Sequence, residues 1–450
     1  MSKQKTESGL GTQPVGRLLF KMALPAVTAQ IINVLYNMVD RMFIGHIPQV
    51  GAQALTGVGV TMPIIVAVSA FAALVSMGGA PRASIMMGKN EKEKAERILG
   101  NCFILIIVVS FLLTAGILLF GEKLLLLFGA SENTLGYGLE YLNIYAMGTI
   151  FVQLSLGMNA FITTQGYAGT SMCTIVIGAV LNILLDPVLI FALDMGVKGA
   201  ALATIISQAV SAAWVLRFLT AQKTFLKLRK QYFRIRKEIA APCIALGLSP
   251  FIMQFTESII TVCFNTSLLK YGGDLAVGAM TILVTAMQFM MVPITGITQG
   301  AQPIISYNFG AGANERVRRA FKLLLAASMA YSSILWCVCV FFPQIFIGLF
   351  TADPRLLEMT AWAIRIYMAS ALLLGVQLSC QQTFIALGNA KTSIFLAILR
   401  KILLLIPLIF ILPKILTDQV LGVFLAEPIA DFCAVCTTVA LFFRTFRKLK

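Results

Sequence analysis

The stretch LLFGASENTLGYGLEYLNIYAMG, residues 126–148, returns in altered form as GLFTADPRLLEMTAWAIRIYMAS at 348–370, with Tyr145 opposite Tyr367 at an offset of 222. Other pairs fall near the same offset: Gly166 with Gly388 at 222, Gly79–Ala80 with Gly300–Ala301 at 221, and Pro187 with Pro407 at 220. A 450-residue chain that repeats itself at about half its length is built from two copies of one unit.

Outward from that repeat, 58% of the residues are hydrophobic and only 12% charged, about half the roughly 25% charged residues of soluble domains. Apolar runs near or above the ~20 residues that cross a ~30 Å hydrocarbon layer recur along the chain. They read as helices, since barrel strands are shorter and alternate. The spans run over 18–44, 52–80, 97–120, 135–162, 169–193, 198–220, 240–269, 274–307, 319–342, 356–386, 391–413 and 419–443. The expected fold is an all-α integral membrane protein with twelve transmembrane helices in two pseudo-symmetric six-helix bundles. An even number of spans per half makes the repeats parallel, related by an axis along the membrane normal.

The net charge of +16 follows the membrane. Lys and Arg cluster at 3–21, 82–97, 217–237, 316–322 and 444–450, while alternate loops hold isolated Lys123, Lys198, Lys270, Arg355 and Lys414. The positive-inside rule then sets both termini in the cytoplasm of a multi-pass plasma (inner) membrane protein. Residues 1–16 form a polar cytoplasmic tail without the apolar core of a cleavable signal peptide, so the N-terminus is expected to be retained. The N-lobe is 17–220, a basic cytoplasmic connector 221–238, the C-lobe 239–443 and a second tail 444–450. The basic run KTFLKLRKQYFRIRK at 223–237 joins two membrane halves and is expected to face anionic lipid, not nucleic acid. His46 is the only histidine, which removes histidine-based metal or catalytic chemistry, and the nine cysteines read as helix packing. No GxxxxGK[ST] stretch occurs, so a gradient is the expected energy source.

Gradient coupling needs an ionisable group inside the membrane whose occupancy differs between two states. In span 1, Gln30, Asn33, Asn37 and Asp40 are spaced three, four and three apart and share a face. In span 5, Asn182 and Asp186 share a face, followed by Pro187, which frees backbone carbonyls beside the acid. Span 4 adds Tyr141, Tyr145 and Asn159, and span 6 offers Thr204. Two neighbouring buried carboxylates cannot both stay charged and bare; one takes a proton or a cation sits between them. The competing reading pairs Asp40 with adjacent Arg41 and makes Asp186 a cap beside Pro187.

These residues, with LPAVTAQIINVLYNMVDRMFIG at 24–45 and GAVLNILLDPVLIF at 178–191, resemble the MATE (multidrug and toxic compound extrusion) family and its DinF-like branch of MepA-type exporters over about residues 15–445. The resemblance implies a cation or proton site in the N-lobe formed by Asp40, Asn182, Asp186 and Thr204. Tyr36, Asn37, Tyr141 and Asn159 are expected as its supporting network. It also implies antiport of H⁺ or Na⁺ against small organic cations or drugs by a monomer without a cofactor. Other branches place the coupling acid on span 7, where this chain has Glu257, but the matching span 10 acid is missing, its stripe reading Ser370, Gln377 and Gln381. Glu257 and Gln254 are therefore expected in the substrate cavity, with an interhelical hydrogen-bonded acid as the alternative. Met287, Met290 and Met291 fall on one face of span 8 and are assigned to the same cavity, with plain packing as their alternative.

In the C-lobe, Asp431 is expected to pair with Arg400 or Lys401, leaving Glu427 nearer the outer cavity. A rival function, flipping a lipid-linked saccharide or another lipid, would call on several arginines for the phosphate, for which the basic residues Arg365, Arg400 and Lys401 are the candidates.

Overall fold

The computed structural model describes residues 9–222, 224–348, 350 and 353–447. Residues 1–8 of the N-terminal tail, Lys223 of the connector and 448–450 of the C-terminal tail lie outside them. Among the described residues there is no strand. The first half comprises α1 (Val15–Gly45), α2 (Gly51–Gly88), α3 (Lys92–Leu127), α4 (Glu132–Thr164), α5 (Ala168–Ala192) and α6 (Gly196–Thr220). Next comes one helical run, Lys237–Gly310, whose 74 residues would be ~110 Å long if straight. Gly273, at φ 65° and ψ −163°, breaks it into α7 (237–272) and α8 (274–310). Then follow α9 (Asn314–Phe341), α10 (Pro354–Tyr367 and Ala371–Ala386, bent by 49°), α11 (Ala390–Ile415) and α12 (Gln419–Phe446). The expected spans are present, and the helices outrun several of them. α2 continues past residue 80 through Arg82 and Ser84 to Gly88, because helical hydrogen bonding does not require apolar side chains, and the chain turns only at Asn90, with φ 62°.

Two prolines mark local departures. Pro187 is followed by a π-helical turn, Val188–Ala192, and Pro407 lies just beyond another, Leu399–Leu405. Pro407 lacks the N–H that would close the turn before it, and widening that turn by one residue re-pairs the backbone.

The two halves meet along α1, α2, α7 and α8, and the contact obeys the repeat. A Cβ on Gly78 would overlap the Cys243 carbonyl, and one on Gly300 would stand 2.6 Å from the Ala23 backbone; 300 is 78 plus 222. Gly88 lies against the Tyr307 carbonyl and Gly310 against the Ile85 carbonyl, a reciprocal exchange under the same offset. Only glycine lets the backbones come this close. Other contacts, Phe71 with Phe251, Gln30 with Gln299 and Ser84 with the Pro303 carbonyl, also lie in the halves of these helices nearer the termini. Beyond Phe71 and Phe251 the lobes part, and an apolar cavity of 590 Å³ lies between α2, α3 and α7.

Each lobe's lead-in segment is pinned to the other lobe. Ahead of α1, the Leu10 carbonyl accepts from Asn308 Nδ2 (3.0 Å) and Arg316 Nη2 (3.1 Å), and the Gln13 carbonyl accepts from Arg316 at 2.7 Å. Ahead of α7, the Leu226 N–H donates to Gln165, the Arg236 N–H donates to Asn101, and Arg229 pairs with buried Glu96 at 2.9 Å. The described part of the basic run is thus tied to the N-lobe. Its aromatics dock on α3, Phe233 against Phe103 and Phe225 under Lys92, while Lys230, Arg234 and Arg236 stay exposed.

Candidate cation site and its relatives

Four of the expected residues converge in the first lobe, near the ends of α1 and α5 away from the termini. Asp40 is 8% exposed, Asn182 2% and Asp186 0%. The Asp40 and Asp186 carboxyl groups interact directly with each other. Asn182 Nδ2 reaches Asp186 Oδ1 at 3.3 Å and Thr204 Oγ1 at 3.5 Å, and Thr204 donates back to the Ala200 carbonyl. Tyr141 lies beside Thr204 and stacks on Tyr145, while Tyr36 adjoins Asp40 and Asn37. Three buried oxygens, Asp40 Oδ1, Asp186 Oδ2 and Asn182 Oδ1, accept no hydrogen bond from the described protein atoms. No salt bridge engages either carboxylate among the described residues, so Asp40 is not paired with Arg41. Three buried acceptor oxygens without donors favour a shared proton or a hard cation that takes oxygen ligands.

Asn159 does not join this cluster. It donates to the Ser171 carbonyl at 3.2 Å and accepts from Thr174 at 3.0 Å, a separate network. Eighteen residues separate it from Tyr141, so the two share a helix face but stand ~27 Å apart along the axis. Asn37 likewise turns inward on its own helix, donating to the Asn33 carbonyl at 2.6 Å.

The second lobe holds a denser charge cluster than its sequence suggests. Arg400 Nε donates to Asp431 Oδ1 at 2.6 Å, the expected pair, and Ser370 approaches the other Asp431 oxygen at 3.5 Å. Lys401 turns instead to Glu257, at 2.9 Å. Glu427 is not nearer an outer cavity: it is 4% exposed and stands 3.6 Å from Arg400. The helix positions of Glu427 and Asp431, four apart, put both on the buried face of α12. Gln254 is partly buried one turn before Glu257 on α7. Met290 is fully buried in the C-lobe core, and Met287 and Met291 pack against that core, so packing accounts for the stripe. Missed entirely were Glu96, hidden in the charged run KEKAER, and the Leu10–Asn308–Arg316 strap.

A family model described as MatE matches residues 25–188 and 250–411, once in each half and together more than half of the chain. The chain belongs to the MatE family. It is 24% identical over 427 residues to the multidrug export protein MepA of Staphylococcus haemolyticus, covering 94% of this chain and 93% of that protein. MepA of Staphylococcus aureus strain N315 is 25% identical over 424 residues, with 94% and 93% covered. Among solved structures, the MATE multidrug transporter DinF-BH in complex with a dye ligand is 34% identical, covers 98% of both chains and superposes with a TM-score of 0.90. An outward-facing multidrug resistance MATE transporter shares the fold at TM-score 0.91 and 21% identity, covering both chains in full. As a MatE protein the chain is a multi-pass membrane transporter and not an enzyme.

Proposed function

We propose that this MatE protein is a secondary active exporter that moves lipophilic organic cations outward in exchange for H⁺ or Na⁺. The observation that carries this reading is the set of three buried, unpartnered oxygens on Asp40, Asn182 and Asp186. Such a set favours uptake of a proton or small cation, and its occupancy is coupled to whichever conformation opens it to water. The coupling residues are Asp40, Asn182, Asp186 and Thr204, with Tyr36 and Tyr141 orienting them.

The lobes part at the end away from the termini, which in the positive-inside orientation is the extracellular face. Closure there and release of the opposite end would carry substrate and ion in turn. The acid Glu257, 61% exposed at its side chain, gives an organic cation a counter-charge in the cleft. The names of the MepA relatives and the dye complex of DinF-BH agree with such substrates. Lipid flipping is the weaker reading, because Arg400 and Lys401 are spent on carboxylates and Arg365 bonds the Val340 carbonyl.

The test is dye movement in proteoliposomes with Na⁺ and pH gradients imposed separately. Uphill movement of a cationic dye under at least one gradient is expected; movement indifferent to both would overturn the reading.

A further inference from the structure

The C-lobe cluster counts three carboxylates, Glu257, Glu427 and Asp431, against two cations, Arg400 and Lys401. Arg400 and Asp431 form the tight pair at 2.6 Å, each side chain 3% exposed. Lys401, 7% exposed, is held by Glu257, whose own side chain is 61% exposed. Glu427 is left with Arg400 at 3.6 Å, beyond a hydrogen bond, while Arg400 Nη1 is buried and unpartnered. Glu427 is faced by Arg400 and Lys401 from α11, Glu257 from α7, Tyr367 from α10 and Asp431 on its own helix. With all three acids ionised the cluster would carry one uncompensated negative charge inside the membrane, a costly state. With Glu427 protonated it is neutral.

We propose that this cluster is a second cation-exchange site, in which the Lys401 ammonium is a resident substitute for an organic cation at Glu257. The inference rests on the reading of the chain as a cation exporter and extends it to a lobe without the paired acids of the first. An organic cation arriving from the cleft meets the one exposed acid, Glu257, and displaces the ammonium. Lys401 then turns to Glu427, the acid lacking a close partner, and Glu427 gives up its proton. The balance is one organic cation bound and one proton released. Glu427 passes from carboxylic acid to carboxylate, Lys401 stays protonated throughout, and the cluster remains neutral before and after. Arg400 and Asp431 do not change partners. Constancy of buried charge, not a preference for one ion, drives the exchange.

The experiment uses the full-length purified protein, tetraphenylphosphonium as the probe and a pH dye in weak buffer, in an Asp40→Asn, Asp186→Asn background that silences the first lobe. Binding should release about one proton per probe bound. Glu427→Gln in that background should abolish the release. Lys401→Met should keep the release, because without the ammonium the same neutrality puts a proton on Glu257, and adding it to Glu427→Gln should restore the release that Glu427→Gln abolishes. Restored release cannot come from misfolding, so the double variant stands where Glu427→Gln alone proves unstable. Proton release unchanged by Glu427→Gln, or no release in the double variant, would overturn the exchange while leaving export by the first lobe intact. Absence of probe binding to the wild-type protein would instead sink the cation-export reading, and this inference with it.

Discussion

Asp431→Asn strands a buried guanidinium. In the native chain Arg400 is 3% exposed and bonds Asp431 at 2.6 Å, with Glu427 at 3.6 Å as its only other acid partner within 4 Å among the described residues. Removing one member of a buried pair costs about 3–5 kcal/mol, chiefly because the other charge is left without compensation. Glu427 can still offer part of that compensation, so the loss should fall near the lower limit, about 3 kcal/mol or roughly a hundredfold in the folded-to-unfolded ratio. Arg400→Met alone should cost a comparable amount, since Asp431 would keep only Ser370 at 3.5 Å. The double variant has no stranded charge and should recover about 2 kcal/mol relative to the sum of the single losses. Unfolding in a titration of sodium dodecyl sulfate, followed by tryptophan fluorescence in mixed micelles, gives the four stabilities. Losses that add to within ~0.5 kcal/mol would refute the argument that the pair acts as one unit.

Two further substitutions probe how the lobes are joined. Gly247→Ala puts a methyl group into the Leu74 carbonyl on α2, so the helices must separate. Cys243, fully buried one turn away, should react faster with a membrane-permeant maleimide, as read by peptide mass mapping, and an unchanged rate would contradict the close-packed seam. Arg316→Gln removes its hydrogen bonds to the Leu10 and Gln13 carbonyls, and hydrogen exchange across residues 9–14 should accelerate at least tenfold; protection kept at the native level would show that Asn308 and the packing of Leu10 hold the strap without Arg316.

The membrane-crossing fold was legible because long apolar runs have few alternatives, and the lobes because Tyr145 and Tyr367 and their neighbours preserve the repeat. Asn182 and Asp186 could be read as one site from their i, i+4 spacing, and Asp40 from the polar stripe on its helix; both are local signals. Asn159 was misplaced because a shared helical face says nothing of distance along the axis. Pairings such as Lys401 with Glu257, separated by 144 residues, leave no local trace, and choosing Lys401's partner required knowing which helices adjoin. Met290 carries no sign of its own burial either, since a methionine suits a core and a cavity wall equally. The straps were unreadable because their bonds use backbone carbonyls and N–H groups, which every sequence possesses.

The central claim, that the first lobe's paired carboxylates couple an ion to export, meets its most direct test in Asp186→Asn protein reconstituted into proteoliposomes with a cationic rhodamine dye. The amide keeps the shape of the side chain, and Asn182 Nδ2 can still donate to its oxygen, now 3.3 Å from the Asp186 carboxylate. What is lost is the charge that takes up the proton or cation. The account predicts that the variant inserts correctly and binds dye with an affinity within about threefold of wild type, a difference under 1 kcal/mol. It also predicts that uphill dye movement under either an imposed pH or Na⁺ gradient stops. Asp186→Asn protein that pumps dye at the wild-type rate under the same gradient would contradict it.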